Sequence, residues 1–101
     1  MSNVENMPTA QATVLRSLVE HFYGGNEEQI KAHEIAARTG LGVPAVQQAL
    51  VRLHDGGQIH VADSEEGGID RVAGVPYEVA KRAHPAFMEE AWRRRTEETQ
   101  P

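Results

Sequence analysis

The stretch HEIAARTGLGVPAVQQALVRLHDGG, residues 33–57, reads as two helices joined by a sharp glycine turn, and its reading decides the fold. Ile35, Ala36 and Thr39 continue one helix, which Gly40 ends as a left-handed cap while Leu41 folds back as an apolar anchor. The next helix opens at Gly42 or Val43, with Pro44 in its first turn, where a missing N–H costs little. Neither opening residue is the Ser or Thr that would cap it well. Inside this helix Val46, Ala49, Leu50 and Leu53 recur at i, i+3, i+4 and i+7, which predicts one buried face ending at Gly56-Gly57.

Upstream, Thr9 is placed to cap a helix whose apolar stripe is Val14, Leu15, Leu18, Val19 and Phe22, with Gly24-Gly25 as its stop. Between them and the quoted stretch two readings stand. Asn26 with Gln29 resembles a capping box, and Gln29-Ile30-Lys31 equally suits a short strand before a helix starting near Ala32. Downstream, Ile59-His60-Val61-Ala62 alternates like a half-buried strand, SEEGG at 64–68 is a polar turn, and Ile69 to Val75 returns antiparallel. PYEVAKRAH, from Pro76, either extends that strand or begins a helix. Pro85 opens a clearer helix with Phe87, Met88, Ala91 and Trp92 on one stripe.

The expected organisation is an unstructured start at 1–8, one domain over 9–75, a C-terminal extension over 76–95 and an unstructured tail over 96–101. At 101 residues and 40% hydrophobic content, one modest core is expected. There are no cysteines, so disulfides and cysteine-ligated zinc are excluded, which suits a reducing cytoplasm. The opening MSNVENMPTA lacks the basic start and apolar run of a secretory signal, and no apolar stretch approaches the roughly 20 residues of a membrane helix. A cytoplasmic protein with no membrane partner is the expectation.

Helix, optional strand, helix, tight turn, helix and hairpin is an order that resembles the winged helix-turn-helix family of small bacterial-type transcriptional regulators. EIAARTGL at 34–41 resembles that family's second helix and turn, and VPAVQQALVRLHDGGQI at 43–59 its third helix and the glycine leading to the wing. The likeness spans about residues 9–75. It implies a mainly helical α+β fold, three helices plus a β-hairpin wing and an extra C-terminal helix, and binding of double-stranded DNA with the third helix in the major groove.

On a helical wheel the outward face of that helix is Pro44, Gln47, Gln48, Val51, Arg52 and Asp55. Gln47 and Gln48 carry the donor and acceptor pair an adenine edge requires, Arg52 reaches guanine or phosphate, and Pro44 or Val51 meets a thymine methyl. Arg38, Arg71 and Lys31 are the candidates for holding the DNA backbone, with Arg16 a lesser one. Charge opposes this reading. The formal net charge is −5, residues 41–75 hold two basic and five acidic groups, and Asp55, Glu65, Glu66 and Asp70 lie where phosphates would approach. The alternative is a winged-helix protein-interaction module, for which the acidic wing and exposed Pro44 and Val51 are suitable surfaces.

Phe87, Met88 and Trp92 must bury their stripe either against the first helix or against a second copy, the latter giving a homodimer with two reading helices. Glu89 and Glu90 precede Arg93 and Arg94 by four residues, the favourable order for ion pairs, so the WRRR run reads as a self-paired solvated face. The five histidines, His21, His33, His54, His60 and His84, form no i, i+4 pair; His54 and His60, flanking the helix-to-wing turn, are the pair that could meet in space. No nucleophile elbow or phosphate-binding glycine loop is present, so neither an enzyme nor a cofactor is expected.

Overall fold

The computed structural model describes residues 8–26, 28–65 and 68–99. In chain order the elements are α1 (Thr9–Tyr23), β1 (Ile30–Lys31), α2 (Ala32–Thr39), α3 (Val43–Asp55), β2 (His60–Glu65), β3 (Gly68–Gly74), α4 (Tyr77–Ala83) and α5 (Pro85–Thr99). The described residues thus form a mainly helical α+β protein with one small antiparallel sheet, in strand order β1-β3-β2.

Pro8, not Thr9, occupies the cap position of α1. Its φ of −53° and ψ of 147° hold the chain extended, its carbonyl accepts the Ala12 N–H at 3.0 Å, and Thr9 is already helical. The strand reading prevails at 30–31, because Ile30 is fully buried and pairs with Val72 while Lys31 pairs with Arg71. The Glu34 carboxylate then accepts the Lys31 backbone N–H at 3.2 Å, satisfying one of the donors a helix start leaves open. Gly40 adopts φ 77° and bonds back to the Ala36 carbonyl, a conformation in which a side chain is strained.

Val46, Ala49, Leu50 and Leu53 are all buried, as their spacing predicts, and they meet Val14, Leu15, Leu18 and Val19 of α1 and Ile35 and Ala36 of α2 in one core. Each fully buried leucine contributes about 1.5–3 kcal/mol of transfer free energy. The hairpin joins this core through Ile59, Ile69 and Val72. Its ladder is irregular: His60 faces Gly74, Val61 faces Val72, Asp63 faces Arg71 and Ser64 faces Ile69, so the register shifts three times. Such shifts increase local twist.

The strands run closer to their turn than SEEGG suggests. Ser64 and Glu65 belong to β2 and pair onward to Gly68 of β3, while Glu66 and Gly67 lie outside the described residues, as do the start over 1–7 and residues 100–101. Two features exceed the expected three helices, hairpin and extra helix: β1 adds a third strand, and 77–83 is helix rather than strand extension. Helix α4 packs because Val79, Ala80 and Ala83 are buried in the same core, small residues that allow close approach to α1. Helix α5 continues through Thr99, past residue 95 where the sequence reading ended it, with the Thr96 hydroxyl returning to the Trp92 carbonyl at 2.9 Å. The Tyr23 hydroxyl donates to the Val75 carbonyl at 2.7 Å and ties the end of α1 to the exit of the sheet. Burial pushes this phenol above its ordinary range, and the neighbouring Tyr77 phenol adds to the rise. No helix among the described residues is long and apolar enough to cross a membrane.

Candidate nucleic-acid interface

Burial of the Val46, Ala49, Leu50 and Leu53 face turns the opposite side of α3 outward, and that side is not uniform. Pro44, Gln48, Val51, Arg52 and Asp55 are exposed, whereas Gln47 is half-buried. Gln47 turns toward the hairpin, its Cβ lying 3.9 Å from the place a side chain on Gly68 would occupy. Gln48 and Arg52 lie on the other flank and line a shallow depression with Pro8, Ala10 and Gln11 of the first helix and its cap. Adjacent helix residues diverge by about 100°, so the two glutamines cannot present one bidentate edge together. The separated members are Gln47 beside the hairpin, and Gln48 with Arg52 beside α1.

Lys31 and Arg71 are brought side by side by the β1–β3 register. Both are half-buried, and the Arg71 Nε is enclosed without a hydrogen-bond partner among the described residues. Two cations adjacent across a ladder repel each other, so this row favours a nearby anion. Asp63 on β2 is the backbone partner of Arg71 on the other side. Asp70 is half-buried.

Arg38 lies apart from that row. Its guanidinium donates to Nδ1 of His21 at 2.9 Å, and the His21 Nε2 bonds the Glu28 carbonyl at 2.7 Å. Among the described residues His21 is the one polar side chain in the buried set, 6% exposed. No sequence pattern signals this chain of three residues, because its members are 17 and 7 positions apart.

At the C-terminal end the three stripe residues part company. Met88 is buried in the core, Phe87 is half-buried with its ring 5.2 Å from that of His84, and Trp92 is 64% exposed. Tyr77, 51% exposed, shares the surface around Trp92, with the Lys81 ammonium 5.2 Å from its ring centroid. The expected pairs Glu89–Arg93 and Glu90–Arg94 are present at 3.6 and 3.1 Å. Being exposed, they contribute little. His33, His54 and His60 are exposed, His84 bonds Glu20 at 2.8 Å, and no three His, Asp or Glu side chains gather as a metal site among the described residues. No protein-family model, curated protein or solved structure matches the chain.

Proposed function

We propose that the chain is a winged helix-turn-helix protein that binds double-stranded DNA as a small transcriptional regulator, with α3 in the major groove and β2–β3 as the wing. The observation that carries this is the division of α3 into a wholly buried face and a free face of Pro44, Gln48, Val51 and Arg52, beside a hairpin that Gln47 approaches. Gln48 and Arg52 are the principal base readers, Gln47 contacts the wing side of the site, and Pro44 and Val51 supply apolar contact with thymine methyls. Lys31 and Arg71, adjacent in the sheet, hold one backbone stretch and Arg38 another.

Titrating a short duplex into labelled protein at low salt should shift the amides of residues 45–52 and of the hairpin, and raised salt should weaken the effect. Gln48→Ala should cost roughly 1–3 kcal/mol of binding and relax preference at one base position. No shifts at low salt would reject DNA binding and leave the exposed Val51, Tyr77 and Trp92 as surfaces of a protein-interaction module.

Trp92 also supports a homodimer through α5, since most of its ring is uncovered while Met88 and Phe87 are already used within the chain. Sedimentation velocity should give a dimer that Trp92→Ala converts to monomer. A monomeric wild type at high concentration would remove dimerisation from the proposal.

A further inference from the structure

The geometry points to a second binding site, an oxyanion pocket of phosphate type in the cleft between α1 and the end of α2. Thr13, Arg16, Ser17, Glu20, Arg38 and Thr39 line it, and its volume of about 510 Å³ leaves room for a solvated anion.

The donor set follows from how each lining group is engaged. Thr39 is spent: its hydroxyl donates to the Ile35 carbonyl at 2.8 Å and accepts the Leu41 N–H at 3.3 Å. Glu20, the acid of the cleft, is drawn to His84 at 2.8 Å. Arg16 and Arg38 have no carboxylate partner among the described residues.

Arg38 is also held in place. His21 is buried, and its two bonds fit one tautomer, with Nε2–H donating to Glu28 and the Nδ1 lone pair accepting from Arg38. One of the five guanidinium N–H groups is thereby used, and four remain on a side chain that lines the cleft. A fixed guanidinium loses less side-chain entropy when it closes on a planar pair of oxygens, the geometry that makes arginine a binder of phosphate. With Arg16, and with Thr13 and Ser17 one turn of α1 apart, the lining of the cleft includes two guanidinium groups and two hydroxyls, the donor types a tetrahedral oxyanion takes. The natural source is either a free phosphate or phosphomonoester, or the phosphodiester backbone of a nucleic acid.

Inorganic phosphate is the probe, added to labelled full-length protein against sodium chloride of matched ionic strength. Saturable shifts at the amides of Thr13, Arg16, Ser17, Arg38 and Thr39 are expected. Arg16→Gln and Arg38→Gln should each weaken binding roughly tenfold, the effect of removing one charge-assisted hydrogen bond. Shifts that rise linearly as with chloride, or that both substitutions leave unchanged, overturn the site. If a short duplex moves the same amides and phosphate competes with it, the source is a phosphodiester; if only phosphate moves them, it is a free anion or monoester. Arg38 is shared with the proposed backbone contact, but the phosphate titration involves no DNA, so the pocket and the α3 surface fail separately: loss of duplex shifts on α3 leaves the pocket standing, and loss of phosphate shifts leaves α3 standing.

Discussion

Val72→Asp is expected to abolish cooperative folding at 25 °C, while Ala73→Asp, one residue further along β3, leaves a melting protein. Val72 is fully buried at the centre of the sheet, where β1 brings Ile30 to one side of it and β2 brings Val61 to the other. A carboxylate there would lose its water without gaining a partner, a cost of several kcal/mol set against the 5–15 kcal/mol that holds a typical domain together. Ala73 is exposed, and an acidic residue on that face carries only the weak strand penalty of about 1 kcal/mol. Circular-dichroism melts of the two variants read the result directly. Similar behaviour of both would mean that β3 presents its other face to the core, since slipping the register by one residue exchanges every side chain between faces.

Leu50→Ala should lower stability by about 2–5 kcal/mol, through lost transfer energy and the cavity left where α3 meets α1 and α2. Leu50 is fully buried, and its neighbour Val51 is 38% exposed. Val51→Ala should therefore stay within about 0.5 kcal/mol of wild type in stability. Urea midpoints for the pair, at unchanged slope, check this. An equal loss for both would contradict the rotation of α3 on which the assignment of its reading face depends. The contrast also gives Val51→Ala a clean use in duplex titrations, since any change in binding would not be a stability effect.

The turn at 40–42, the buried stripe of α3 and the first helix were legible because each repeats a strong local signal: a glycine at φ 77°, a period of 3.6 residues, a glycine pair as stop. β1 was legible only as an alternative. Two residues carry no periodicity, and what makes Ile30 and Lys31 a strand is a partner some forty positions away in β3. The helix at 77–83 was likewise legible only as one of two alternatives: its buried Val79, Ala80 and Ala83 span little more than one turn, and alanines mark a core position weakly. Of the candidate site, the composition of α3's outer face could be read, but not the turning of Gln47 toward the hairpin, which depends on where β3 sits. The links from His21 to Arg38 and from Tyr23 to Val75 span 17 and 52 residues. Nothing local in the chain announces such contacts.

The three register shifts of the hairpin bear on how the protein behaves among its own copies. Among the described strands β2 has a single neighbour and forms the longer open edge of the sheet, the two-residue β1 forming the other. An open edge is a row of unpaired N–H and C=O groups, a template on which another extended chain can add and aggregation can begin. A ladder that skips residues and twists gives such a chain no continuous straight row to follow. The irregular ladder thus has a consequence independent of any ligand: it offers an additional strand no regular edge to extend.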